Sequence, residues 1–345
     1  MSARQPKRRR RERYAFADSP WVQNLTQRDL AELLRFKKAQ LELMVSFKEA
    51  WIIRRTATVG GKVRDLAYPF GKLRWVHERL KHHLGKIKQP EYLYSPRGGR
   101  AQRDNAALHV GQNQFLTLDI CQFYPSTSSE HVFRWAHHVA GLRPDVAGIL
   151  TKLATVDDRL SFGSPLSPVL ATLVHRKMFD DIHEACRARG LRMSLWVDDL
   201  TISGRFIPGE LLSDIRAIVA RAGLRSHKIR YRSGARQVTI TGIPVCRSCV
   251  IAPRALHQRV QDGYALLRAA TSDVERANVT DLLLGQLGSL RYHVGKDSTA
   301  GRRAADRMNA LRRRHKALTI VVNTGPPTTL ASSAATELAG ALPWA

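Results

Sequence analysis

The sequence predicts an α+β fold in which a small sheet is backed by helices in the split βαβ manner. Three observations carry that prediction. The middle of the chain reads strand, helix, helix, strand-turn-strand, helix, strand. Short apolar runs at Phe115–Ile120, Met193–Val197 and Leu200–Ser203 have strand length. Between the last two runs, Trp196-Val197-Asp198-Asp199 places adjacent aspartates at a tight turn.

The elements follow in chain order. Residues 1–20 form a basic arm, with Lys7 and the run Arg8 to Arg11, and are expected to be disordered. Residues 27–53 have helical periodicity, and Leu30, Leu33, Leu34, Leu41, Met44 and Phe47 make a stripe expected in the core. Gly60-Gly61 reads as a hairpin turn followed by a strand to Pro69, and 72–84 as a helix. Residues 94–104, with Pro96, Gly98 and Gly99, read as a basic loop. The strand Phe115–Ile120 ends near Asp119. Residues 130–154 are mainly helical, Ser161–Pro168 is a Gly/Pro turn, and 169–189 reads as one long helix. A helix at 209–222 precedes strands around 227–232 and 236–245. Residues 255–316 read as three helices with Lys and Arg on their exposed faces. Residues 325–345, rich in Ala, Pro, Thr and Ser, are expected to be disordered.

The chain has 345 residues, enough for two or three packed units. Its 56 Lys and Arg against 29 Asp and Glu give a formal net charge of +27. Such a balance points to a polyanionic partner, most simply nucleic acid held through its phosphates. No segment approaches the length of a membrane-spanning helix, and the N-terminus lacks the apolar region of a signal peptide, so a soluble, cytoplasmic protein is expected. Cys246 and Cys249 form a lone Cys-x-x-Cys without a second ligand pair, and they are read as ordinary thiols.

Adjacent aspartates at a turn have a bland reading as a solvated hairpin and a chemical reading as a metal site. In a split βαβ sheet, Asp119 at one strand end lies beside the Asp198-Asp199 turn, and three carboxylates converge. Hard oxygen ligands of this kind suit Mg²⁺, and two such ions can clamp an in-line phosphoryl displacement. Polymerases and nucleases both use that arrangement.

Leu118-Asp119-Ile120-Cys121-Gln122-Phe123-Tyr124, with an aromatic five residues after an aspartate, is followed in order by Gly163-Ser164-Pro165-Leu166-Ser167-Pro168 and by Trp196-Val197-Asp198-Asp199. From about residue 55 to about 295 the chain resembles reverse transcriptases, particularly the bacterial retron group. Asn105-Ala106-Ala107-Leu108-His109 and Ile240-Thr241-Gly242 match segments that set retrons apart. The chain departs from the usual pattern at Trp196, where a Tyr is usual, and at Phe162, where a Gln precedes the glycine. A lysine usual before the fingers turn is absent, with Arg54 and Arg55 nearby.

The resemblance implies a right-hand polymerase fold. Its parts would be N-terminal helices and fingers over 21–112, a palm over 113–250 with a fingers part around 130–168, a basic helical thumb over 251–320 and a disordered tail over 321–345. It implies catalytic Asp119, Asp198 and Asp199. Two Mg²⁺ ions, with Mn²⁺ as an alternative, would be held at Asp119, Ile120, Asp198 and Asp199, with Asp199 assisting the other two aspartates. It places Tyr124 as the steric gate under the sugar, and Arg64, Gly163 and Lys228 around the nucleotide. Asn105, His109, Arg97 and Arg100 are expected to contact RNA or DNA. The implied activity is RNA-directed DNA synthesis from dNTPs on a dedicated structured non-coding RNA, starting at a guanosine 2′-hydroxyl and giving a short, branched single-stranded DNA. Anti-phage defence with an effector protein goes with that group. Two alternatives stay open: a non-retron defence enzyme with protein-primed or primer-independent synthesis, and a non-catalytic RNA-binding scaffold.

Overall fold

In a computed structural model the chain is described over residues 13–324, apart from 23, 60, 235 and 236. After a short 3-10 turn come α1 (Gln27–Leu34) and α2 (Lys38–Ser46). Thr26 caps α1: its Oγ1 accepts from the Asp29 amide, and the Asp29 carboxylate accepts from the Thr26 amide at 2.8 Å. Arg35, at φ 63°, ends α1 in the left-handed conformation. The expected single helix over 27–53 is therefore two helices, and its last residues open β1 (Ile52–Val59). The β-branched residues Ile52, Ile53, Thr56, Thr58 and Val59 favour a strand there. Phe47, expected in the core, is 62% exposed.

β1 pairs antiparallel with β2 (Lys62–Pro69) across the predicted glycine turn, where Gly61 has φ +75°. Then follow α3 (Gly71–Leu84), β3 (Leu93–Ser95), α4 (Gln102–Ala107) and β4 (Gln114–Ile120). The expected basic loop at 94–104 thus contains the end of one strand and the start of a helix. Next are α5 (Phe123–Ser126), α6 (Ser129–Arg134), α7 (Pro144–Ala154), α8 (Ser167–Val174) and α9 (Arg176–Arg187). The long helix expected at 169–189 is broken at His175, whose ring bonds the Thr127 hydroxyl at 3.0 Å. β5 (Arg192–Trp196), β6 (Asp199–Gly204), α10 (Glu210–Arg221) and β7 (Ser226–Ser233) complete this part. The strand expected at 236–245 is a hairpin of β8 (Gln237–Ile240) and β9 (Ile243–Cys246). α11 (Arg254–Ala269), α12 (Asp273–Val294) and α13 (Thr299–Thr324) are the three predicted basic helices.

The chain divides into two compact units. Among the described residues, one comprises 13–101 and 112–234; the other comprises 102–111 and 237–324. The boundary expected at residue 250 is displaced, because the β8–β9 hairpin and α4 belong with the C-terminal helices. Within that second unit Asn105 Nδ2 donates to Thr241 Oγ1 at 3.2 Å, and Arg103 Nε donates to the His293 carbonyl at 3.0 Å. Its core is formed by Leu256, Val260, Leu283, Leu287, Leu290 and Leu311.

The first unit holds a sheet in the order β3-β5-β6-β4-β7, antiparallel except where β3 joins β5. The four strands β4 to β7 and their helices reproduce the predicted split βαβ plan. Side chains alternate along the strands. Leu116, Leu118 and Ile120 on β4, with Leu195 on β5 and Leu200 and Ile202 on β6, enter the helix-backed core. Asp119 and Thr117 point to the opposite face. Residues 13–20, expected to be disordered, are partly held by this unit: Tyr14 bridges to Ile87, and its hydroxyl donates to the His83 carbonyl at 2.9 Å. Residues 1–12 and 325–345, the rest of the expected disordered arm and tail, lie outside the described residues, and α13 occupies 321–324. Among the described residues no helix is long and apolar enough to cross a membrane.

Two histidines lie deep in this unit. His77 is fully buried between the Ser164 hydroxyl and the Leu153 carbonyl, each at 2.8 Å, and burial pushes its pKa down to about 4. Burial likewise lowers His175 to about 3. An unfolded chain takes up these protons near pH 6.5 while the folded one refuses them, so stability is full above about 6.5 and is lost as pH falls toward 4. Thermal unfolding followed between pH 7.5 and 4.5 should show that loss, His77 contributing up to roughly 3 kcal/mol at the acid end. His77→Gln should flatten the slope, because the amide does not titrate.

Candidate active site

Register sets the site. β4 and β6 pair so that Asp119 lies opposite Asp199. β5 and β6 pair from Trp196 across to Asp199, leaving Val197 and Asp198 as a two-residue turn. Val197 has φ 61°, a conformation disfavoured for a β-branched residue. The Ile120 amide donates to the Asp198 carbonyl at 3.1 Å, tying that turn to the end of β4.

The carboxylates are crowded, and they differ in exposure: Asp119 is buried, Asp198 is half-buried and Asp199 is exposed. Asp119 is 6% exposed. Burial first, then the charges of Asp119 and Asp199, push the Asp198 carboxyl well above the usual carboxylate range. Asp199 shifts the same way, by burial and by Asp119. Among the described residues, the cationic side chains that pair with this cluster come from β7. The β4–β7 pairing shifts register between Thr117 and Asp119, and Lys228 there adopts φ 50°. Its Nζ meets Asp119 Oδ2, and His227 Nε2 reaches the same oxygen at 3.2 Å. The bond to Asp119 raises the Lys228 pKa, so the ammonium keeps its proton.

Among the described residues, no three ligating side chains are gathered closely enough to hold a metal ion alone. The residues nevertheless fit a divalent cation. Asp119 Oδ1 is buried with no hydrogen-bond partner, and hard cations of the Mg²⁺ type need only one or two carboxylates when substrate phosphates complete the shell. The Ile120 side chain is in the core, so any ligation by this residue falls to its backbone carbonyl.

A cavity of about 860 Å³ opens beside the aspartates, with Arg64, Ile120, Phe162 and Lys228 in its wall. Tyr124, on the short α5 that begins after Gln122 at φ 45°, packs its ring on Phe162 with centroids 5.4 Å apart at 67°. Burial and the charge of Asp198 raise the Tyr124 phenol above its ordinary pKa, so it stays protonated. Arg64 on β2 lies over the same Phe162 ring, its Cζ 4.8 Å from the centroid. Gly163 follows at φ +95°, and a Cβ there would come within 2.7 Å of the Tyr68 ring.

The structure therefore brings together Asp119, Asp198, Asp199, Tyr124, Arg64, Gly163 and Lys228. It does not bring the expected nucleic-acid residues to a surface uniformly. Asn105 is 1% exposed and His109 is fully buried, so in the free chain both side chains are packed within the second unit. Arg97 is half-buried, with Nη1 donating to the Pro90 carbonyl at 2.7 Å, whereas Arg100 is exposed over the Tyr94 ring. Sequence reasoning missed His227 beside Asp119, because strict strand alternation hides the irregularity that admits both it and Lys228. It also missed Tyr68, whose only signal was its place two strand residues beyond Leu66.

Residues 69–245 match the reverse transcriptase (RNA-dependent DNA polymerase) family. The chain belongs to that family. It is similar to the Retron Se72 reverse transcriptase of Salmonella heidelberg, with 31% identity over 143 residues, 41% of this chain and 38% of that one. It is 29% identical over 148 residues to the Retron Ec86 reverse transcriptase of Escherichia coli, 42% of this chain and 45% of the relative. The aligned regions span less than half the length of these relatives. Among solved structures, a foamy viral protease-reverse transcriptase in complex with double-stranded DNA matches with a TM-score of 0.41 and 15% identity, covering 94% of this chain and 47% of that one. The reverse transcriptase match contains the Asp119 strand, the Tyr124 helix, the Gly163 turn and the Asp198-Asp199 turn.

Asp198→Asn removes one of three mutually repelling carboxylates. It should raise the unfolding free energy of the metal-free protein by on the order of 1 kcal/mol, since a partly buried carboxylate beside two like charges is being neutralised. The same variant should lose most of the stabilisation that millimolar Mg²⁺ gives the wild type. Calorimetry with and without the ion measures both effects.

Proposed function

We propose that this protein is a retron-type RNA-directed DNA polymerase that copies a dedicated structured non-coding RNA into a short single-stranded DNA. The observation that carries the reading is the convergence of Asp119, Asp198 and Asp199 beside a cavity walled by Arg64 and Phe162, with Tyr124 packed against Phe162. The similarity to retron reverse transcriptases supports the RNA template and its DNA product, and the net charge of +27 supports a polyanionic partner.

Each group has a part. Asp119 and Asp198, with the Ile120 carbonyl and help from Asp199, would hold two Mg²⁺ ions, or Mn²⁺. Bound there, divalent ions supply charge neutralisation at the phosphates and a lowered pKa for the attacking hydroxyl. Arg64 offers a planar fork of N–H donors to the triphosphate of a dNTP. Tyr124 lies under the sugar and excludes a 2′-hydroxyl. Lys228 neutralises Asp119 in the free protein and can turn to the pyrophosphate as a proton donor. Gly163 lets the backbone approach the nucleotide and template. In this reading the first unit contains the fingers and palm, α11 to α13 form the thumb, and Arg97 and Arg100 meet nucleic acid. The setting is the cytoplasm, in anti-phage defence, with an effector protein as a further partner.

Purification with the co-expressed genomic neighbourhood, followed by sequencing of the bound nucleic acid, tests this. A branched RNA–DNA hybrid is expected. Unbranched DNA, or DNA joined to protein, would instead favour a protein-primed or primer-independent defence enzyme. Asp198→Asn/Asp199→Asn should reduce DNA synthesis to background; an unchanged yield would leave a non-catalytic RNA-binding scaffold. Tyr124→Ala should keep DNA synthesis measurable and relax discrimination against ribonucleotides, read by single-nucleotide incorporation.

A further inference from the structure

We propose that Phe162 is a positioning residue for nucleotide selection: its ring holds the Arg64 guanidinium and the Tyr124 ring in one stack and so sets where both meet an incoming nucleotide. The identity of that ligand, a nucleoside triphosphate, rests on the polymerase reading above. The stack itself does not.

Three separate pieces of chain meet at this ring. Arg64 comes from β2, with its Cζ 4.8 Å from the ring centroid. Tyr124 comes from α5, edge-on at 5.4 Å. Phe162 comes from the loop before α8, and that loop is strapped to β2. The Ala67 amide donates to the Phe162 carbonyl at 3.0 Å, and Ser161 Oγ donates to the Ala67 carbonyl at 3.1 Å. On its far side Ser167 Oγ donates to the Ser161 carbonyl at 2.8 Å. Gly163 then turns beneath Tyr68, which leaves little room for the loop to shift. The loop that carries the ring is therefore held by one backbone bond and two serine hydroxyl bonds.

The way Arg64 is held matters. Among the described residues it makes no ion pair. A guanidinium lying over an aromatic face is oriented without using its N–H donors. All of them stay available for phosphate oxygens, which an ion pair with a carboxylate would have engaged. The same ring buttresses Tyr124 from the side, so the gate and the phosphate grip share a support. A shared support couples them: displacing the ring moves the site that binds the triphosphate and the site that tests the sugar. Preorganisation of this kind acts on nucleotide affinity rather than on the carboxylates.

The test compares wild type with Phe162→Leu, Phe162→Ala and Phe162→Tyr. Equilibrium binding of a fluorescent dNTP is measured on a template with a dideoxy-terminated primer, and steady-state kinetics with dNTP and rNTP are measured alongside. Phe162→Leu keeps apolar bulk and loses the π face; should Phe162→Ala unfold, it carries the measurement alone. Both variants should weaken nucleotide binding and raise KM by about five- to tenfold, with kcat changed less than about threefold and discrimination against rNTPs reduced. Phe162→Tyr should restore affinity and discrimination. In an Arg64→Ala background, Phe162→Leu should weaken binding by less than about twofold, as expected for a shared interaction. Unchanged KM and discrimination in Phe162→Leu would overturn the proposal, as would a loss that Phe162→Tyr fails to restore. A wild type that binds dNTP and shows the Phe162 dependence but makes no DNA would sink the polymerase reading and leave this inference standing. A wild type that binds no nucleotide would overturn it.

Discussion

The pairing that sets Asp119 directly across from Asp199 is the constraint on which the rest of the first unit depends. Side chains facing each other on neighbouring strands approach to about 5 Å, and like charges at that distance repel. Nothing in the local sequence favours that pairing. It is enforced from the opposite face, where Leu116, Leu118, Ile120, Leu200 and Ile202 are all within the core. A slip of one residue would turn those leucines and isoleucines outward, at about 1.5–3 kcal/mol for each side chain. Burial on the helical side thus outweighs repulsion on the other. The cost left at the carboxylates is what a cation can relieve.

Unusual backbone conformations gather around the same spot. Gln122, Gly163, Val197 and Lys228 all have positive φ; Gln122 and Lys228 line the cavity, and Gly163 and Val197 each adjoin a residue that does. Such conformations persist only where surrounding structure over-determines them. Here the surroundings are identifiable. The Ile120 amide holds the Val197–Asp198 turn, Tyr68 underlies Gly163, and Asp119 holds the irregular strand at Lys228. The floor of the cavity is made by long-range register, and its rim by short-range irregularity.

That division explains what could be read in the sequence. Strands β4, β5 and β6 and the Asp198-Asp199 turn were legible because their residue pattern has the period of a half-buried strand. The motif order then placed Tyr124, Gly163 and Lys228. Features without a pattern of their own were hidden. β3 is only three residues long. β1 continues an apolar periodicity that belongs to α1 and α2. The break at His175 depends on Thr127, distant in sequence. The ordering of Tyr14 depends on Lys86 and Lys88, whose backbones bracket it at 3.2 and 2.8 Å, and a charge count carries no sign of it. Asn105 and His109 were recognisable as a motif, but only packing reveals that they are buried.

The discontinuity of the second unit has a consequence for the order in which the protein is made. Residues 102–111 emerge early, between two stretches of the first unit, yet their partners lie in the β8–β9 hairpin and α12. Asn105 and Thr241 are 136 positions apart. At ordinary translation speeds that separation lasts on the order of 10 s. During that interval the first unit has most of its chain available, while α4 must wait with its buried face uncovered. The first unit is therefore able to assemble around an unfinished insertion, and closure of the second becomes the late event of biosynthesis.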